Sequence, residues 1–316
     1  MRGSDLTILA YHRVFSMVDE AGYPFDPELI SASPEEFRWQ VRHLKQNYDV
    51  VSFRDVITHL DSNAKLPRRC LIVTFDDGFE DNYSVAYPIL REARIPATFF
   101  VSSGFIGQSS TFWFDSLANQ VKRAPPQSIA ISEASGPLPR SSLPSDREAA
   151  FSELIGILKR VPDSRRREVL TKIDALIGME PNPKRASLST PMTWNNVIEM
   201  ANGGMEIGSH TVTHPILSNV DSATLESEMT ESKRQIESAI ERTVEVLAYP
   251  VGTTGAYDEQ TISAARNAGY RLACSYEYGP NNVSTLDRFA LKRQHVERYT
   301  DRLRFRGLAA LPSLVR

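Results

Sequence analysis

Two short stretches carry the side chains that could do hydrolytic chemistry: Thr74-Phe75-Asp76-Asp77-Gly78 and Ser209-His210-Thr211-Val212-Thr213-His214-Pro215. Together they offer two carboxylates and two imidazoles. Two imidazoles and one carboxylate can hold a divalent metal and leave positions open for water and substrate, the pattern of catalytic rather than structural metal sites. The remaining carboxylate is then free to move a proton. Zn²⁺ suits this donor set, and Fe, Co, Ni or Mn is compatible with it. Such an ion lowers the pKa of its water from about 15.7 to about 7. In a chain with only six His, this pairing makes an enzyme the expectation over a binding module.

These side chains need elements that bring them together. The run Cys70–Phe75 is short, apolar and β-branched, as in a strand buried on both faces. Adjacent carboxylates on a continuing strand point to opposite faces, so Asp76 and Asp77 share a site only if the backbone turns there. Gly78 permits that turn. The spacing of Tyr83, Tyr87 and Leu90 predicts a helix next, which places the acid pair at the C-terminal end of a strand, where open sheets and barrels build their sites. Met205–Ser209 reads as a second strand. His210 and His214, at i and i+4, are placed on a single helical turn beyond it, and Pro215 biases His214 away from continuing a helix.

The acid pair and the Ser-His-x-x-x-His-Pro run resemble the first two motifs of the polysaccharide deacetylase family, metal-dependent enzymes acting on N-acetylated sugars. Ile8–Val14, Ile95–Val101, Met192–Pro215 and Ala248–Gly252 extend the resemblance in order along the chain. It implies a distorted (β/α)7 barrel, whereas periodicity alone reaches only α/β. It also implies that Asp76 is the general base and that Asp77, His210 and His214 hold the metal. A carboxylate committed to a cation is poorly available as a base, so dividing the roles between neighbours is chemically sensible.

The chain departs from the family pattern twice. Many members carry Arg-x-Pro-Tyr in the third motif, where the Arg orients the catalytic Asp; here the matching run is Ala248-Tyr249-Pro250-Val251. Arg293, in the strand-like run Phe289–Arg293, is the candidate to supply that charge instead. The resemblance implies that Tyr249, Pro250 and Val251 bind substrate, with the Val251 N–H polarising the substrate carbonyl as the corresponding loop does in the family. Many relatives also carry a late Leu-x-His motif. This chain instead has an apolar strand ending in Tyr11-His12 at its start, and a closed barrel has no privileged first strand. His12 is therefore the favoured acid for the leaving amine, with His295 as its rival.

The rest reads as one catalytic domain, residues 1–316, with a mostly helical and irregular insertion at 107–191. Ser33-Pro34-Glu35-Glu36 is a helix start, continued by Phe37, Val41 and Leu44. Leu225, Met229, Ile236 and Ile240 mark another helix. The insertion is Pro- and Ser-rich at first. It then carries helical stripes at Phe151, Leu154, Ile155 and Leu158, and at Val169, Ile173 and Leu176 after a break at Pro162. It is either a lid or substrate wall, with Trp113 stacking on a sugar, or a packed appendage. Arg165-Arg166-Arg167 is expected to be a solvated helix face.

A formal net charge of −3, with no zinc-finger spacing or phosphate-cradling loop, gives no basis for nucleic-acid binding. No run is apolar enough for a membrane span, and Met1–Asp5 lacks a signal region, so a cytoplasmic location is expected. Cys70 and Cys274 suggest no disulfide framework. Residues 298–316 read as a packed terminal helix or a weak membrane-surface contact. The expected reaction is metal-dependent removal of an N-acetyl group from a carbohydrate, a cell-surface polysaccharide or glycan precursor. Deformylation, acetyl-ester cleavage and a silent sugar-binding protein are the alternatives.

Overall fold

A computed structural model of the chain describes residues 5–17, 19, 22–62, 64–108, 111–123, 147–177 and 189–310. The Pro-rich stretch from 125 to 144, and Leu311 and Leu314, lie outside the described residues. The chain divides into two compact units, one of Met1–Val18, Glu28–Ser109 and Pro191–Arg316, the other of Asp19–Pro27 and Ser110–Thr190. The inclusion of Asp19–Pro27 in the second unit carries no signal in the sequence.

In the first unit the strands are β1 (Asp5–Tyr11), β2 (Arg13–Val14), β3 (Ile30–Ala32), β4 (Asp49–Val50), β5 (Cys70–Phe75), β6 (Thr98–Val101), β7 (Glu206–Ser209), β8 (Val246–Ala248), β9 (Leu272–Cys274), β10 (Asn281–Asn282) and β11 (Gln294–His295). Helices α1 (Pro34–Asn47), α2 (Phe53–Ser62) and α3 (Tyr87–Ala93) belong to this unit. The second unit contributes α4 (Trp113–Arg123), α5 (Arg147–Leu158) and α6 (Asp163–Ile177). The first resumes with α7 (Trp194–Asn202), α8 (Ser222–Ile240), α9 (Glu259–Asn267) and α10 (Arg302–Ala310).

Parallel pairing runs β1-β5-β6-β7-β8-β9. The ring closes through a parallel bridge between Cys274 and Leu291 and through β11 beside β1, with Gln294 opposite Leu9 and His295 opposite Ala10. This is the distorted (β/α)7 barrel. Strand alternation divides its side chains. Leu6, Ile8, Ile72, Phe100, Val246, Leu272, Cys274 and Leu291 form one buried cluster. Their neighbours Leu9, Leu71, Val73, Phe99 and Leu247 pack instead with Phe37, Val41 and Leu44 of α1 and Leu225, Met229 and Ile236 of α8. The first cluster therefore lines the barrel interior and the second its helix-covered outside. Phe53, Val56 and Ile57 of α2 join the interior cluster. Glu206 holds that helix there by accepting from the Phe53 and Arg54 N–H groups at 3.0 and 3.1 Å.

Ser33 caps α1 through the Glu36 N–H, and Asp221 caps α8 through Thr224. Tyr83 sits in a π-helical turn, Asn82–Ala86, that runs into α3. Within the second unit, Leu117, Val121, Phe151, Leu154, Leu158, Val169 and Ile173 form a separate core. Arg166 is buried there, pairs with Asp163 and lies 4.6 Å over the Trp113 ring. The Arg run is therefore not a wholly solvated face: its middle member packs on an aromatic ring, while Arg167 stays exposed. In α10, Phe305, Leu308 and Ala309 are buried and Leu303 is 79% exposed. Among the described residues no helix is long and apolar enough to cross a membrane.

Candidate active site

The C-terminal ends of the barrel strands bring the candidate residues together. Ile72, Thr74 and Asp76 alternate along β5 and beyond it, and Leu291, Arg293 and His295 alternate along the closing segment. Asp76 and Arg293 therefore meet inside the barrel, where they are 2% and 0% exposed. The guanidinium donates from Nη1 to Asp76 Oδ1 at 2.7 Å and from Nη2 to Oδ2 at 2.8 Å. Its Nε donates to the Ser275 carbonyl at 2.8 Å and Nη1 also reaches Thr74 Oγ1 at 3.3 Å. Burial pushes the Asp76 carboxyl up, but Arg293 and then His210 outweigh it and hold it below its ordinary value.

The turn after Asp76 reverses the strand's alternation. Asp77 has φ 76° and Gly78 φ 92°, so the second carboxylate joins the same site as the first. His210 Nε2 and His214 Nε2 lie 3.5 and 3.2 Å from Asp77 Oδ1. The three donor atoms all fall within 4.8 Å of one another. His210 Nδ1 donates to the Ala248 carbonyl at 2.7 Å, which leaves Nε2 directed at the cluster. Both oxygens of Asp77 are buried without a hydrogen bond of ordinary geometry among the described residues. A buried carboxylate facing two imidazoles in this way fits a divalent cation, in number and type of donor. Burial opposes charge on Asp77 and on His210. The imidazoles nevertheless hold the Asp77 carboxyl well below its usual range, and Asp77 followed by Asp76 raises His210. Cation binding at this cluster is therefore coupled to its protonation and weakens as pH falls.

The two His are not on a helical turn. Residues 210–216 are irregular, with Thr211 at φ 68° and His214 at φ 53°. Glu228 of α8 holds this loop, accepting from the Val212 and Thr213 N–H groups at 2.7 and 2.9 Å and from the Thr213 hydroxyl at 2.5 Å. A helical turn would have used those N–H groups internally; here a buried carboxylate takes them.

Val251 follows β8 with φ 62°, and Gly252 continues at φ 57°. A Cβ on Gly252 would stand 2.7 Å from the Tyr276 nitrogen and 2.8 Å from the Tyr249 carbonyl oxygen, so glycine is required. Six non-glycine residues among those described have left-handed φ. Arg94 and Glu241 end helices. The other four, Asp77, Thr211, His214 and Val251, all lie on the loops of this site. Such backbone costs of order 1–3 kcal/mol per residue and gathers where a site demands it.

Tyr249 does not offer its side chain to a substrate. Its ring is fully buried and stacked on Tyr257 at 4.6 Å, and its hydroxyl donates to the Phe289 carbonyl. It anchors the loop that carries Pro250 and Val251. Trp113 lies in the second unit, covered by Arg166.

His12 leaves β1 half-buried, within electrostatic reach of both Asp76 and Asp77. Its ring meets Tyr276 edge-on at 5.4 Å. His295 is buried, stacked on Tyr276 at 3.5 Å and against Tyr278 at 4.0 Å. Burial, then Arg293 and His12, lower its pKa to about 3. A histidine held neutral in this way is a weak proton donor near neutral pH, which favours His12 over it as the acid. Tyr276, Tyr278 and Glu228 escape sequence reasoning. Only Glu228 left a trace, as an acid adjoining Met229 on the helix stripe of Leu225, Met229, Ile236 and Ile240.

A closed parallel barrel with an acid pair beyond one strand and two His beyond another defines a recognisable class. Residues 63–135 and 171–273 match the profile of the polysaccharide deacetylase family, and the chain belongs to that family. It is 23% identical over 275 residues to the putative polysaccharide deacetylase YxkH of Bacillus subtilis, covering 87% of this chain and 65% of that protein. It is 30% identical over 90 residues to a poly-β-1,6-N-acetyl-D-glucosamine N-deacetylase of Staphylococcus aureus, covering 28% of this chain and 31% of that protein. The chain thus spans less than two thirds of either relative. Among solved structures, the Streptococcus pyogenes deacetylase PplD in complex with acetate superposes with a TM-score of 0.64 at 20% identity, covering 97% of this chain and 99% of that one.

Proposed function

We propose that this protein hydrolyses the acetamide of N-acetylglucosamine units in a polysaccharide, using one divalent metal ion, with zinc the best match to the donors. The observation that carries this reading is the division of labour between adjacent acids. Asp76 is tied to a cation of the protein, and Asp77 is turned toward two imidazoles. An ion held by Asp77, His210 and His214 would supply an acidified water and an electrophile for the amide carbonyl.

Asp76 then acts as general base. Arg293 keeps it ionised and fixes the plane of its carboxylate, which lowers its intrinsic basicity and secures its orientation. The Val251 N–H, on its left-handed turn, is assigned to the carbonyl oxygen as charge develops there. His12 delivers a proton to the departing amine; the nitrogen leaves as a neutral amine and acetate is the other product. The absence of Arg from the third motif, where Ala248 stands, points toward the silent sugar-binding alternative. Arg293 supplies a cation at the same carboxylate and supports an active enzyme. The polymer is proposed from the named substrate of the Staphylococcus aureus relative.

Acetate release from N-acetylated glucosamine oligomers, compared between wild type and Asp76→Asn at matched metal occupancy, tests the reading. Release that disappears in the variant supports it. Metal-loaded wild type that binds the oligomer and releases no acetate refutes it.

A further inference from the structure

The segment that carries His12 is fastened directly to the segment that follows the acid pair. Arg13 is 3% exposed, and Asp81, four residues beyond Asp77, is 4% exposed. Arg13 Nε and Nη2 lie 2.8 and 2.7 Å from Asp81 Oδ2. The other carboxylate oxygen accepts from the Val14 N–H at 3.1 Å. The next residue, Asn82, is fully buried and donates from Nδ2 to the His12 carbonyl at 2.8 Å. On the opposite side the His12 N–H donates to Ser31 Oγ at 2.9 Å. The Arg13 guanidinium lies 4.6 Å over Phe79 and 5.1 Å from Phe15.

Both peptide groups of His12 are thus pinned, and the residues on its C-terminal side are locked to Asp81. The π-helical turn Asn82–Ala86 starts at the same point. Such turns are uncommon and concentrate at functional sites. A buried ion pair adds little net stability against an apolar replacement and is a device for fixing geometry. The barrel already joins β1 to β5, and the Asp76 N–H donates to the Tyr11 carbonyl at 2.9 Å. The latch adds a second tie beyond the strand ends, where the chemistry would take place.

We propose that Asp81, with Arg13 and Asn82, is a positioning group that aims the His12 imidazole at the departing amine. This rests on the reading of His12 as the acid. Misplacing a catalytic group by about 1 Å can cost on the order of 10²-fold in rate, while groups that only bind substrate are untouched.

The test uses two acyl substrates that differ in their need for an acid: an N-acetylated β-1,6-glucosamine oligomer, and p-nitrophenyl acetate, whose phenolate leaves unprotonated. Asp81→Asn keeps the shape of the latch and removes its charge, and Asn82→Ala releases the other side. With metal content matched, each variant is expected to lose roughly 10- to 100-fold in kcat on the amide. KM and aryl-ester turnover should be little changed. Equal losses on both substrates, or full amide turnover, overturn the latch. His12→Ala separates the two readings: if it leaves amide turnover intact, the acid assignment itself fails, whereas its loss with intact Asp81→Asn and Asn82→Ala defeats the latch alone.

Discussion

Arg293 reaches Asp76 past an intervening strand: β11 and β5 both flank β1, and the guanidinium spans the barrel interior to take both carboxylate oxygens, at 2.7 and 2.8 Å. Lysine cannot reproduce that fork. Arg293→Lys should therefore lower kcat/KM by about 10²-fold. Weakening the cation's hold lets the Asp76 pKa rise, so the acidic limb of the kcat/KM profile moves to higher pH. A loss of rate with a fixed acidic limb would show that Asp76 is not the group titrating there.

The same pair predicts a stability difference with a definite pH dependence. A carboxyl whose folded pKa is depressed stabilises above its unfolded value and loses that contribution as pH falls through the folded one. Arg293→Met leaves Asp76 buried without its cation, a cost of about 3–5 kcal/mol near neutral pH. The deficit should shrink as acid protonates Asp76. Urea unfolding of wild type and Arg293→Met across the acid range measures it; a deficit independent of pH would assign the loss to packing.

Burial, with Arg293 beside it, holds the His295 pKa to about 3, against about 6.5 in an unfolded chain. The unfolded chain therefore binds a proton that the folded one refuses, and stability drains away as pH falls from about 6.5 toward 3, by roughly 1 kcal/mol per unit. His295→Leu should flatten that part of the stability curve. A variant as acid-sensitive there as wild type would contradict a neutral His295.

How much of this was legible depended on whether a feature was local. The strand before Asp76, the cap at Ser33 and the stripe on α8 could be read because neighbours in sequence create them. The turn at Asp77 was legible from the requirement that both carboxylates face one way. The left-handed path through Thr211 and His214 was not, since a four-residue spacing suits a helical turn equally well, and the choice is made by Glu228 from another element. Tyr249 looked available on its loop but is consumed by Tyr257 and Phe289. Arg293 could be suggested as a missing charge. Its two-pronged contact with Asp76 depends on a barrel closure that joins residues far apart in sequence.

Glu228 carries the last prediction. It makes no contact with the donor atoms, yet its two oxygens accept three bonds from the loop between His210 and His214. With Thr211 and His214 in left-handed backbone, that loop does not hold its shape through regular hydrogen bonding. Glu228→Gln keeps one acceptor and sets an N–H₂ against groups that donate. The ligands remain, but their spacing loosens, and such supporting changes typically cost about 10–100-fold in metal affinity or activity. Zinc competition against a chromogenic chelator should show weaker binding of that order, and added zinc should raise the melting temperature less than in wild type. His210→Ala should abolish the zinc-dependent rise altogether. An unchanged zinc affinity in Glu228→Gln would mean that the loop is shaped by the barrel alone.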